Sequence, residues 1–179
     1  ANNDGATIFG YRVQNPSAFG VAVTNAMGEL VSIEEKPSDP QSNIAVTGMY
    51  FYDETAYHRT KELKPSKRGE IEITCLNRSY LHDKKISLQL LERGSAWLDT
   101  GTPDWLLAAS QFVETIETRQ GLKIACLEEI ALEKGWIGTR QLALNIQRYS
   151  SSAYGEYLKH LLKTHMSDIT LQHKIVAIN

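Results

Sequence analysis

The run AVTGMYFY, residues 45–52, most constrains what this chain can fold into. It is apolar almost throughout, and its β-branched and aromatic side chains suit a pleated strand. A strand without polar alternation predicts burial on both faces, and so a place inside a layered α/β sheet. The segments before it read as strands too: 6–13, then GVAVT at 20–24, a turn at Asn25-Ala26-Met27-Gly28, and LVSIE at 30–34. The last two, joined by the turn, predict a hairpin with Val31 and Ile33 on one face.

Beyond residue 52 the pattern becomes largely helical. Asp53 is placed to cap a helix that Lys64-Pro65 ends. A second helix is expected from near Gly69 to about His82, with Glu70 and Glu72 at its positive end. Residues 86–91 and 96–98 read as further strands. Thr102-Pro103 is a strong helix start, and Trp105, Ala109, Phe112 and Ile116 predict a buried stripe ending at Gly121. Short helices follow at 127–134, 139–147 and 153–163. Residues 164–179 show no clear pattern, and IVAI near the end reads as a strand or a loose tail.

Charge and composition exclude some partners. The net charge is −2 with both signs scattered along the chain, which leaves no electrostatic footprint for nucleic acid. The apolar runs fall short of the ~20 residues that cross a bilayer, and ANNDGATIFG lacks the features of a secretory leader. Cys75 and Cys126 lack a close CxxC spacing, so reduced thiols in a cytoplasmic protein are expected. The five histidines form no metal-ligand spacing, and Trp97, Trp105 and Trp136 read as core or interface aromatics.

Three segments carry chemistry. In EEKP, residues 34–37, lysine before proline is biased to extended backbone, which aims Lys36 away from the strand end. In SKRGEIEIT, residues 66–74, Arg68 precedes the expected helix start, where a guanidinium and free N–H groups act on one anion. In AWLDTGT, residues 96–102, Asp99 lies between a strand and a capped helix, a position that suits a magnesium ligand. Each also has a plain reading: a solvated ion pair, a loop charge, and an aspartate bonding its own turn. Together, a lysine, an arginine and a lone aspartate at element edges are the parts that phosphoryl transfer uses.

The segments GATIFGY, FGVAV, SIEEKP, SNIAVTGMYFYD, LKPSKRGEIEIT, AWLDTGT, RQGLKIACLEEIA and YGEYL occur in this order. On these the chain resembles the C-terminal portion of bacterial glucose-1-phosphate thymidylyltransferases, from Gly5 to about Leu162. The glycine-rich G-x-G-T-R-L loop with which that family binds nucleotide does not occur in the sequence. The resemblance implies part of a Rossmann-like nucleotidyltransferase mixed sheet at 1–121, a helical dimerisation and regulatory region at 122–163, and a tail at 164–179. It implies transfer of a nucleotide from dTTP to glucose-1-phosphate, giving dTDP-glucose and pyrophosphate, with Mg2+ as cofactor. This chain alone is then expected to be inactive. A homo-oligomer is implied, tetrameric in the full-length family.

The resemblance also assigns roles. Glu35 meets glucose hydroxyls, Lys36 and Arg68 clamp the phosphate, and Gly20, Val46 and Tyr50 line the sugar pocket. Asp99 is one of two magnesium carboxylates. Arg119 and Glu128 correspond to parts of a second, regulatory nucleotide site, and Glu133 there replaces an arginine of close relatives, a charge reversal that repels phosphate. Phe19 stands where many relatives carry tyrosine, and Cys75 where many carry aspartate; a buried thiol is expected. Two other readings stay open: a non-catalytic sugar-phosphate-binding or assembly module on the same scaffold, and a related pyrophosphorylase using another base or sugar.

Overall fold

A computed structural model describes residues 4–66 and 68–176, with side chains to Ser167. The chain forms two compact units that meet between Trp97 and Leu98, ahead of the helix that opens at Pro103.

The N-terminal unit is built on a five-stranded sheet of order β3-β2-β4-β1-β5. Its strands are β1 (Ala6–Arg12), β2 (Gly20–Thr24), β3 (Leu30–Glu35), β4 (Ile44–Tyr52) and β5 (Ile86–Leu90). β1 and β5 run parallel and the other pairs antiparallel, so the sheet is mixed. The hairpin of β2 and β3 forms as expected, with Asn25 Oδ1 accepting the N–H groups of Met27 and Glu29 to close its turn. Val31 and Ile33, however, do not share an environment: the register shifts between Val23 and Thr24, and Val31 is 56% exposed while Ile33 is buried.

The apolar run becomes the central strand β4, but only its first half meets the expectation. Ile44, Ala45, Val46 and Thr47 are buried, whereas Met49 and Phe51 are 43% and 57% exposed. β2 reaches β4 only through Ala45 and Ile44, so beyond Thr47 the strand keeps a single neighbour, β1.

Helix α1 (Ala56–Glu62) starts at Thr55, without a side-chain cap. Asp53 sits earlier than an N-cap. Its carboxylate accepts the N–H of Gly5, both N–H and Oγ1–H of Thr55, and the Tyr80 hydroxyl. Helix α2 (Ile73–His82) also starts later than expected. Ahead of it, the Ser66 N–H donates to the Glu70 carbonyl and the Gly69 N–H to the Ser66 carbonyl. Glu70 and Glu72 thus precede the helix rather than fill its first turn. α2 buries Thr74, Leu76, Asn77 and Tyr80, and Tyr80 stacks on Tyr52 with 5.5 Å between ring centroids. Fully burying each large apolar group contributes about 1.5–3 kcal/mol. Asn77 accepts from the Tyr52 hydroxyl at 2.6 Å, and its Nδ2 is buried without an acceptor among the described residues.

The C-terminal unit holds α3 (Pro103–Gln120), α4 (Leu127–Glu133), α5 (Thr139–Arg148) and α6 (Ala153–Val176). The start of α3 is as read: Thr102 Oγ1 accepts the Trp105 N–H, Pro103 follows, and Gly121 ends the helix in left-handed conformation. The buried stripe is not. Trp105 and Phe112 are each 39% exposed, and α3 has no fully buried residue. The core of this unit is Cys126, Leu132, Leu142, Ile146 and Leu158, from α4, α5, α6 and the entry to α4. Tyr154, Tyr157, Leu161 and Leu162 pack against it, and the helix they anchor continues well past residue 163. Extending a formed helix is far easier than starting one. Ile175 and Val176 of IVAI are helical, and Ala177 and Ile178 lie outside the described residues. No helix among the described residues is long and apolar enough to cross a membrane.

Two stability predictions follow from these contacts. A methyl at Gly155, near the start of α6, would collide with the Tyr149 carbonyl, a backbone group that cannot swing aside. Gly155→Ala should therefore lower the unfolding free energy by about 1–3 kcal/mol, despite the ~1 kcal/mol that alanine contributes within a helix. Urea denaturation reads this directly. The Thr55 hydroxyl, followed by Tyr80 and the backbone N–H groups, holds the Asp53 carboxyl at about 2 rather than 3.8. A carboxyl lowered on folding stabilises above its unfolded value and stops doing so as pH falls through the folded one. Melting temperature should fall between pH 4 and pH 2, and Asp53→Asn should make that acid limb shallower.

Candidate functional site

The end of β3 organises the N-terminal unit's polar cluster. Glu35, its last residue, pairs with Gly20, the first residue of β2, and the Lys36 N–H extends the ladder by one bond to the Phe19 carbonyl. The chain must then reverse to bury Pro37, and it does so at Lys36 with φ +43°. The extended backbone expected of a residue before proline is therefore wrong here. A left-handed lysine costs about 1–2 kcal/mol, a strain found most often where function requires it. The Lys36 side chain is exposed, with no ion pair among the described residues.

Glu35 is the hub. Its Oε2 accepts from Thr74 Oγ1 at 2.5 Å, and its Oε1 lies 3.9 Å from Arg68 Nη1. Gly20 makes room for this arrangement. A Cβ there would sit 3.2 Å from Glu35 Oε2, 3.3 Å from Thr74 Oγ1 and 3.8 Å from Val46 Cβ. Tyr50, half-buried, has its hydroxyl pKa raised by burial and then by the charge of Glu35. Five expected residues thus meet around one carboxylate: Gly20, Glu35, Val46, Tyr50 and Arg68.

Arg68 arrives there differently from the expectation. With α2 starting at Ile73, Arg68 stands five residues ahead of the helix and not at its first turn. It faces carboxylates: Glu72 at 3.4 Å, Glu70 at 3.5 Å and Glu35 at 3.9 Å. Glu72 is itself fixed by the Ser66 hydroxyl at 2.7 Å. Cys75, expected to be a buried thiol, is only half-buried, and both cysteines are free.

Asp99 belongs to the C-terminal unit. The short strand expected at 96–98 does not form; the only nearby pairing is an isolated bridge between Arg93 and Ser95. Asp99 Oδ1 accepts the Thr100 N–H at 2.9 Å, the bond of a turn residue. Its Oδ2 lies toward Gly101, where a Cβ would come within 3.2 Å. No cluster of three potential metal ligands occurs among the described residues. A lone half-buried carboxylate with one oxygen tied to the backbone fits an ion that draws most of its shell from substrate and water.

Of the two regulatory candidates, Arg119 lies in the last turn of α3. Glu128 accepts from the Tyr154 hydroxyl, which also contacts Cys126 Sγ at 3.2 Å, and Glu129 accepts from Tyr157 at 2.7 Å. Burial, then these partners, push the Tyr154 hydroxyl well up, and burial with Glu129 lifts Tyr157 to about 12. Both tyrosines are neutral donors that tie α4 to α6.

Sequence reasoning missed Thr74 and Glu72 as partners in this cluster. Trp97 is half-buried against Phe19 and Tyr11, at 5.0 and 6.0 Å between ring centroids, so Phe19 does keep its ring packing. A buried threonine in the first turn of an amphipathic helix was the one available signal for Thr74.

Comparison with known proteins matches residues 1–116 to the nucleotidyl transferase family. A glucose-1-phosphate thymidylyltransferase of Neisseria gonorrhoeae is 50% identical over 162 residues, covering 90% of this chain and 56% of that protein. The enzyme of that name from Neisseria meningitidis is 52% identical over 163 residues, covering 91% and 57%. The chain therefore spans about half the length of the curated relatives it matches. A solved structure from Bacillus anthracis, described as a glucose-1-phosphate thymidylyltransferase in complex with a sucrose, is 39% identical with a TM-score of 0.55, over 62% of this chain and 44% of that one.

The left-handed turn makes its own prediction. Lys36→Val, a branched residue at positive φ, should lower the unfolding free energy by about 1–2 kcal/mol, whereas Lys36→Asn should leave it no lower than the parent's. Urea denaturation distinguishes them; equal losses would mean that the lysine side chain, and not the backbone, supports the turn.

Proposed function

The chain belongs to the nucleotidyl transferase family, and from that premise we propose that it carries the glucose-1-phosphate site of a thymidylyltransferase. The observation that supports this best is the convergence of Gly20, Glu35, Val46, Tyr50, Arg68 and Thr74 beside the strained Lys36. In this reading the N-terminal unit, within the expected 1–121 segment, supplies the sugar-phosphate part of the α/β domain. The helices after it supply an assembly and regulatory region whose last helix, α6, continues from Ala153 to Val176 across the boundary expected at 163. The partners are glucose-1-phosphate and dTTP or dTDP-glucose, in a cytoplasmic homo-oligomer.

Each residue's chemistry suits its role. Glu35 is an acceptor with fixed orientation and takes hydrogen bonds from sugar hydroxyls. Tyr50 stays protonated beside it and donates instead of adding a second anion. Gly20 and Val46 leave space and an apolar wall for the ring. Lys36 and Arg68 bind the phosphate oxygens. Holding that phosphate in line with the α-phosphorus of the incoming nucleotide lets its oxygen attack, with pyrophosphate leaving from the opposite side. Asp99 would hold magnesium, which when bound neutralises charge on the phosphates. Arg68 begins among three carboxylates, so the phosphate must draw the guanidinium from Glu70 and Glu72.

Because the chain spans about half of its relatives' length, the test reads binding instead of turnover. Calorimetric titration with glucose-1-phosphate should show binding that weakens about 10-fold or more in Lys36→Ala and in Arg68→Ala, the ~1.5–3 kcal/mol of a charge-assisted hydrogen bond. Magnesium titrated alone should bind the parent, and should bind Asp99→Asn more weakly by about 10-fold or more. No binding by the parent, or binding indifferent to Lys36→Ala, would sink the reading.

A further inference from the structure

We propose that Thr74 is a positioning residue that sets the Glu35 carboxylate for a polyhydroxylated ligand, with Gly20 as the condition that lets it do so. This deepens the glucose-1-phosphate reading and rests on it for the identity of the ligand. Thr74 lies in the first turn of α2 and is 2% exposed. A threonine there can serve its own helix, yet its hydroxyl instead reaches across to Glu35 Oε2, thirty-nine residues away in sequence. The bond joins a helix to the last residue of a strand, so it fixes the carboxylate against two separate elements. Its donor occupies one oxygen, and the guanidinium of Arg68 faces the other.

The space is shaped to match. The position where residue 20 would carry a Cβ is bounded by Glu35 Oε2, Thr74 Oγ1 and the Val46 side chain. A methyl there would press on both partners of the hydrogen bond at once. Thr74 is buried in the α2 packing, so the Glu35 carboxylate, at the end of a flexible side chain, is the partner that would give way, by a few tenths of an ångström. An ionised carboxylate held this way offers only acceptor lone pairs, so it selects a ligand that presents hydroxyl donors. The ionised phosphoryl oxygens are acceptors and are left to Lys36 and Arg68. Thr74 should therefore govern how the site distinguishes a sugar phosphate from bare phosphate.

The experiment uses this 179-residue chain and titrates glucose-1-phosphate and inorganic phosphate separately into Thr74→Val, Thr74→Ser and Gly20→Ala. Thr74→Val keeps the shape and removes the hydroxyl. It should weaken glucose-1-phosphate by about 10-fold, the effect of one hydrogen bond to a charged group, and leave inorganic phosphate within about twofold. Thr74→Ser should restore most of the loss, and Gly20→Ala should reproduce the Thr74→Val pattern. Equal weakening of both ligands would show a general effect on the fold and overturn the proposal, as would unchanged glucose-1-phosphate binding in Thr74→Val. Should the parent bind neither ligand, the functional reading fails while the positioning claim is still read by crystallography. The Glu35 carboxylate should leave its place in Thr74→Val and keep it in Thr74→Ser; an unmoved Glu35 in Thr74→Val rejects it.

Discussion

The seating of α2 on the sheet is the contact on which the N-terminal unit depends. Tyr80 and Leu76 are buried together with Ala6 of β1, and Tyr80 stacks on Tyr52 at the end of β4. Arg78 adds a bond from its Nε to the Ile33 carbonyl of β3 at 2.7 Å. Apolar burial supplies the energy, and the directed bonds fix the helix's position along its axis. That position brings Thr74 over Gly20 and Glu35, so the geometry of the polar cluster follows from the packing of the core.

The cluster is organised around negative charge, although its expected task is to hold an anion. Glu35, Glu70 and Glu72 surround Arg68, while Lys36 projects from a backbone turn that lysine does not favour. The two facts fit one physical scheme. A guanidinium neutralised by carboxylates waits in a defined place, and a charge held out by a strained turn stays available to a ligand.

The C-terminal unit uses a different device. Its core is apolar, but two tyrosines at the rim donate to adjacent glutamates, one of them also touching the buried Cys126. These bonds connect the start of α4 to the start of α6 and fix which face of each helix turns inward. Glu128, considered for a role in regulation, is thereby engaged within its own unit. The apolar side chains of α3 lie partly exposed, and α4, α5 and α6 complete the core of this unit without them.

Local chemistry was legible in the residues alone. The Asn-Ala-Met-Gly turn, Thr102-Pro103 and Gly121 each act over a few bonds, and each produced the expected element. Most of the candidate sugar-site residues were also visible, through the resemblance carried by long motifs. What needed the tertiary structure was set by partners far along the chain. Lys36 turns left-handed because the Phe19 carbonyl extends the ladder and Pro37 is buried; nothing in Lys-Pro itself says so. Arg68 faces carboxylates because α2 starts only at Ile73, and α3 stays half-exposed because the core of its unit closes without it. Helix periodicity shows that a face is apolar, but only packing decides whether anything covers it. Thr74 became a partner of Glu35 only when a strand and a helix remote in sequence were brought within a hydrogen bond of each other.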